Sequence, residues 1–354
     1  MKTSHAVKLF FLGSILATSG LVALTVDSQT VTPPKLANIV NEMTDQLMDA
    51  SKALAVERGL VNGLINNPFV KKKGQIETIN SMREESSIAF IKLERSFEKV
   101  EDQTLVSTSK EHLTNMRNAL GKVKQLRLKA DNVIIAGWND EALKAAWFPS
   151  ISRLILATNT VTEDVISSAK GRLDEKTLST IEVKHSLWEA AEYAGVERGA
   201  LNAKISAGSP ITQDDYIVLK KASDKINKAW TLVLSHKTDF GQDFENSLKQ
   251  IQQTYFVRFS ELRRDVLNAG MTESKYPLSS DQWFEAASEG IRLMNTAHKS
   301  LTEFTTQRIN SAITTNQVKS WIYFVLMIIG SALACISLWF GYFSQTKDTE
   351  TVSI

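Results

Sequence analysis

A chain of 354 residues, 43% of them hydrophobic, is long enough for two ordinary domains or for one long domain with membrane segments. Its 16 glycines and 6 prolines are too few for the turns of an all-β fold and suit long uninterrupted helices. A formal net charge of +2 with no dense basic run does not point to nucleic-acid binding, and the one cysteine, Cys335, excludes an intramolecular disulfide framework or a cysteine-rich metal cluster.

The first element is residues 9–26, an uncharged run that follows Lys2 and Lys8. It reads as a membrane helix or a secretory signal peptide within a segment 1–30. Its length and poor cleavage pattern favour a retained helix. Pro33 and Pro34 mark the exit from it. From there to residue 318 apolar residues recur at steps of three and four, the period of an amphipathic helix. Breaks fall at Asn66-Asn67-Pro68, Glu101-Asp102-Gln103, Gly137-Trp138-Asn139-Asp140, Gly171, Gly208-Ser209-Pro210, Asp239-Phe240-Gly241 and Tyr276-Pro277. They leave about eight helices of roughly 20–30 residues, the proportions of antiparallel bundles.

A second uncharged run, residues 320–343, is long enough to span a bilayer and carries Trp321 and Tyr323 at one end and Trp339, Tyr342 and Phe343 at the other. Two spans with an inside N-terminus put both ends in the cytoplasm and residues 30–318 in the periplasm or outside the cell. The expected location is the cytoplasmic (inner) membrane. The helix over 280–318 has no strong breaker before the span. Continuity into the membrane and a flexible juncture near Thr314-Thr315-Asn316 both remain open.

One module occurs twice. Leu54-Ala55-Val56-Glu57-Arg58-Gly59 corresponds to Ala194-Gly195-Val196-Glu197-Arg198-Gly199, an offset of 140 residues. Trp147-Phe148 corresponds to Trp283-Phe284 at an offset of 136. The expected fold is all-α: two tandem antiparallel four-helix bundles, 31–172 and 173–318, followed by a membrane helix 319–343 and a short cytoplasmic tail 344–354.

Both arginines sit on apolar stripes. Arg58 lies among Leu47, Leu54, Val61 and Ile65, and Arg198 among Leu187, Ala191, Ala194, Leu201 and Ile205. Desolvating a guanidinium costs several kcal/mol unless a partner replaces its water. Either each arginine pairs with a carboxylate of a neighbouring helix, Glu84 or Glu85 in the first half, or the two converge on a small anion. Their planar N–H forks suit an oxyanion. Asn62 and Asn202, one turn on, offer neutral donors, and Gly59 and Gly199 leave room beside the charge.

Other constellations carry less. The histidines (His5, His112, His185, His236, His298) show no metal-ligand spacing, and no metal site or cofactor is expected. No phosphate loop or nucleophile elbow points to an enzyme. Lys71-Lys72-Lys73 reads as a solvated loop. Trp138, Trp147, Trp188, Trp230 and Trp283 read as core.

Glu57-Arg58-Gly59-Leu60, its second copy Glu197-Arg198-Gly199-Ala200, and the run Trp283-Phe284-Glu285-Ala286-Ala287 with Ile291 resemble the nitrate- and nitrite-sensing (NIT) domain family over roughly residues 40–310. The resemblance implies two four-helix bundles, Arg58 and Arg198 as ligands of nitrate or nitrite, and a homodimer. The serine common in that family after Gly-Leu is apolar in both copies here, Val61 and Leu201. Membrane-bound members continue into an output module. Eleven residues follow the second span here, so signalling is expected to pass to a partner in or beneath the membrane. The alternative is a membrane-tethered scaffold whose arginines form internal salt bridges.

Overall fold

A computed structural model describes residues 8, 10–21, 33–66, 73–100, 102–272 and 275–350, and all the regular structure among them is helical. Helix α1 is Phe10–Leu21. It is followed by α2 (Pro33–Asn66), α3 (Lys73–Lys99), α4 (Gln103–Ala136), α5 (Glu141–Ala169), α6 (Glu175–Ala207) and α7 (Gln213–Ser235). The last are α8 (Gln242–Ile251), a π-helical stretch over Gln252–Phe259, α9 (Ser260–Met271) and α10 (Ser280–Glu350).

The breaks fall where the local chemistry puts them. Asp102, Asp140 and Asp174 each accept from a backbone N–H of the first turn of α4, α5 and α6. Thr212 and Asp215 form a reciprocal capping box at the start of α7. Such caps stabilise a helix by about 1 kcal/mol each. Gly137 and Gly208 close α4 and α6 at φ 68° and 57°, a left-handed conformation that disfavours any residue with a Cβ. Asn67-Pro68, Lys71-Lys72, Glu101 and residues 22–32 lie outside the described residues.

The chain divides into two compact units. One combines α1 with the part of α10 beyond Arg308. There α1 and α10 approach so closely that a Cβ on Gly13 would lie 2.6 Å from the carbonyl oxygen of Gly330, and one on Gly20 would lie 2.8 Å from that of Tyr323. Glycine is what permits such backbone contact between apolar helices. Trp321, Ile328, Ile336 and Trp339 are all exposed. Among the described residues α10 is long and apolar enough to cross a bilayer, whereas Phe10–Leu21 is shorter. Helix α10 is unbroken through Thr314-Thr315-Asn316, which settles the open question in favour of continuity.

The other unit, Ala37–Gln307, carries the duplicated motif. The predicted stripes are buried: Leu47, Leu54, Val61 and Ile65 on α2, and Leu187, Ala191, Ala194, Leu201 and Ile205 on α6. Trp147, Trp188, Trp230 and Trp283 are core as expected, but Trp138, at the α4–α5 turn, is 57% exposed. A turn residue beside a left-handed glycine has no helix face to bury it against. The π-helical stretch buries Thr254, Tyr255 and Phe259, and Tyr255 stacks on Phe259 with ring centroids 5.1 Å apart.

Helices α2 and α6 run parallel, because their cross-contacts advance together: Asp45 meets Lys184, and Arg58 meets Glu192. Lys184 is fully buried and donates to Asp45 at 2.5 Å and Asn41 at 2.7 Å. Burial pushes its ammonium pKa down, and the Asp45 carboxylate opposes that shift. A buried charge that loses the counter-charge bonded to it costs far more than the pair itself contributes. Asp45→Ala is therefore expected to lower unfolding stability by about 3–5 kcal/mol. The double variant Asp45→Ala/Lys184→Met should recover most of that loss in chemical unfolding of the full chain in detergent. Equal losses in the two variants would show that the carboxylate does not hold this ammonium.

Candidate functional site

Adjacent helix residues diverge by about 100° around the axis. The two charges of Glu-Arg-Gly accordingly go to different neighbours. Glu57 is fully buried and receives Arg127 through two N–H groups, at 3.0 and 2.7 Å, and Arg83 at 2.7 Å. Arg83 also bridges to Asp131 at 2.8 Å. In the second copy Glu197 is buried against Arg263. Burial raises the Glu197 carboxyl pKa, and Arg263 opposes the rise. Arg127 and Arg263 stand 136 positions apart, the same offset as the two Trp-Phe pairs, so this anchor belongs to the duplication. That spacing was a sequence signal for the anchor, masked by the many other charged residues on the same helices.

The arginines turn the other way, each into a cradle that explains the Trp-Phe marker. Trp147 Nε1 donates to the backbone oxygen of Arg58 at 3.1 Å, and Trp283 Nε1 to that of Arg198 at 3.0 Å. The next aromatic lies under the guanidinium: Phe148 under Arg58 at 4.8 Å, Phe284 under Arg198 at 4.3 Å. One turn further, Ser152 accepts from Arg58 at 3.0 Å and Ser288 from Arg198 at 2.6 Å. Each cradle fixes a cation without neutralising it.

Neutralisation is where the copies differ. Arg58, 3% exposed, forms an ion pair of 2.8 Å with Glu192 of α6, itself 9% exposed. This corrects the expected partners: Glu84 and Glu85 line a separate groove with Gln46, Asp49 and Lys92. Arg198 has no carboxylate within ion-pairing distance among the described residues, and its Nε is buried without a hydrogen-bond partner. Burial lowers the pKa of its guanidinium, the charge of Arg58 lowers it further, and Glu192 only partly opposes.

Both arginines open onto one groove of about 660 Å³ between α2, α6 and α10. Its ionisable lining is Lys52, Arg58, Arg198, Arg292 and Lys299 against the single carboxylate of Glu192. Helix α10 contributes Ser288, Arg292 and Lys299, so the helix that runs on toward the apolar segment forms one wall. Such a lining attracts anions, and the guanidinium forks give a planar oxyanion directed donors. Asn62, Asn202, Gly59 and Gly199 are not among the lining residues. Asn62 is engaged by Asn66, the Asn202 side-chain oxygen is buried without a partner, and Gly199 packs on the Phe148 ring. A Cβ on Gly59 would meet open space. Glu192, Ser152, Ser288, Lys52, Arg292 and Lys299 were not singled out by motif.

The inequality of the two arginines can be read from stability. In anion-free buffer Arg58→Met is expected to destabilise the protein by roughly 3 kcal/mol, because it strands the Glu192 carboxylate. Arg198→Met, which removes a partly buried cation without stranding an acid, should leave thermal unfolding unchanged or raise its midpoint. Equal destabilisation by both variants would mean that Arg198 has a carboxylate after all.

Among curated proteins none matches this chain in sequence. Its fold is similar to that of a solved structure of the NasR transcription antiterminator, with a TM-score of 0.61 and 12% identity, covering 90% of this chain and 82% of that one. At that identity the likeness is one of fold. The profile of the family described as nitrate and nitrite sensing matches residues 49–304, a span that takes in both Glu-Arg-Gly motifs, both Trp-Phe pairs and the whole groove. The chain therefore belongs to the nitrate and nitrite sensing family.

Proposed function

We propose that this protein is a membrane-anchored sensor that binds nitrate or nitrite between Arg58 and Arg198. One observation carries the reading: Arg198 is a partly buried guanidinium that no carboxylate among the described residues pairs, it faces a cationic groove shared with Arg58, and the chain belongs to a nitrate and nitrite sensing family. An anion in the groove supplies the charge that burial has made necessary.

In this reading two tandem four-helix modules, 31–172 and 173–318, lie outside the cytoplasm, and α1 and α10 hold them in the cytoplasmic membrane. The similar NasR structure is of a transcription antiterminator. Here the output is proposed to leave through α10 to a separate partner in or beneath the membrane, with the receptor acting as a homodimer. Anion binding shifts the population toward the arrangement in which α2, α6 and α10 close on the ligand, and only by its difference in affinity between the two arrangements. Asn62, Asn202, Gly59 and Gly199 then serve the neighbourhood of the site rather than contact with the ion. The rival reading, a helical scaffold without a ligand, draws on the Arg58–Glu192 pair, which is an internal salt bridge.

Calorimetric titration of the full chain in lipid nanodiscs with nitrate, nitrite, sulfate and chloride separates the two. Nitrate or nitrite is expected to bind, with Arg58→Ala and Arg198→Ala each weakening it at least tenfold, or about 1.4 kcal/mol. Absence of both heat and thermal stabilisation with all four anions would sink the sensor and leave the scaffold.

A further inference from the structure

We infer that Lys52 is a third cationic ligand of the bound anion, and that the anion takes beside Arg198 the place that the Glu192 carboxylate takes beside Arg58. This rests on the groove being an anion site.

The duplication supplies the geometry. Lys52 stands six positions before Arg58, and Glu192 six before Arg198, so the two occupy equivalent positions of α2 and α6. The helices run parallel, and the cradles of Arg58 and Arg198 repeat contact for contact. A pseudo-twofold relation between the copies follows, and it brings residue 52 toward Arg198 as it brings residue 192 toward Arg58. Lys52 and Arg198 do line the same groove. Among the described residues Arg198 has no paired acid, and the residue at the place equivalent to Glu192 is a lysine. One cradle is closed by Glu192, and the other opens on the groove that Lys52 also lines.

The surroundings of Lys52 suit a ligand. Its Nζ lies 3.0 Å from Nδ1 of His298 on α10 and 3.5 Å from the half-exposed carboxylate of Asp49. Burial, then the charges of Lys52 and Lys184, push the His298 pKa well below its ordinary value, so the imidazole is a neutral acceptor. An ammonium has three donors, more than these two partners take, and Lys52 is part of the groove lining. Burial lowers the Lys52 pKa too, and Asp49 opposes that shift. An anion beside it would favour the charged form, as it would for Arg198. A copy with lysine at both positions would hold two anions, and one with glutamate at both would hold none. This chain is built for one.

Titration of the full chain in nanodiscs with nitrate and nitrite tests this. The expected stoichiometry is one anion per chain. Lys52→Arg should bind within about threefold of the unaltered protein, Lys52→Met at least tenfold more weakly, and Lys52→Glu not at all. In anion-free buffer Lys52→Glu should also melt above Lys52→Met, because Arg198 then has its carboxylate. Binding by Lys52→Met within twofold of the unaltered protein, while Arg198→Ala abolishes binding, overturns the role of Lys52 and leaves the sensor reading intact. Failure of the unaltered protein to bind either anion overturns both.

Discussion

The architecture of the groove depends on the buried carboxylate of Glu57 and its copy Glu197. Each is locked to an arginine of its own half, Arg127 or Arg263, and each fixes the rotation of the helix that carries it. With that rotation fixed, the next residue has one direction left to point, about 100° away. Arg58 and Arg198 are thereby held at the groove whatever occupies it. The inner ion pairs orient rather than stabilise, since a buried pair returns little net free energy beyond the cost of its own desolvation. What they achieve is the placement of two further cations where no bundle would otherwise put them.

Around that placement the cradles do complementary work. The Trp147 and Trp283 indoles bond the arginine backbones, the Phe148 and Phe284 rings support the guanidinium faces, and Ser152 and Ser288 each take one N–H. All these partners are neutral. They hold an arginine rigidly while leaving its charge to be met from the groove. Rigid donors lose little conformational freedom when a ligand arrives, which is how a small ion with few atoms gains affinity.

The helical period, the break points and the duplication were legible in the sequence, because capping residues and apolar stripes are local features that propensity and spacing report. Arg58 and Arg198 were legible as charges on the wrong face. Their partners were not. Glu192 stands 134 positions from Arg58, and its own neighbours on α6 give it the look of one more solvent-facing acid. Glu84 and Glu85, expected on the helix next in order, line a separate groove instead. The π-helical stretch over Gln252–Phe259 left no compositional trace. Trp138 misled because size and apolarity say nothing of a turn that projects outward. For the arginines the missing information was which helix of one half faces which helix of the other.

The charge swap at Lys52 and Glu192 gives the groove a direction. Glu192 ties α6 to α2 through Arg58, an ion pair of two opposite charges. Lys52 ties α2 to α10 through His298, a contact between a cation and a neutral ring that an anion can outbid. Within the proposed site, then, the bond that competes with the ligand is the one that reaches α10, and the bond that does not compete holds the two halves together. In the proposed mechanism an anion drawing Lys52 inward would change the hold on α10 while leaving α2 against α6. A symmetric site, with the same residue at both positions, would couple its ligand equally to both contacts and could not move one without the other. Duplication supplied the two cradles, and the departure from it at Lys52 and Glu192 is what makes the two contacts unequal.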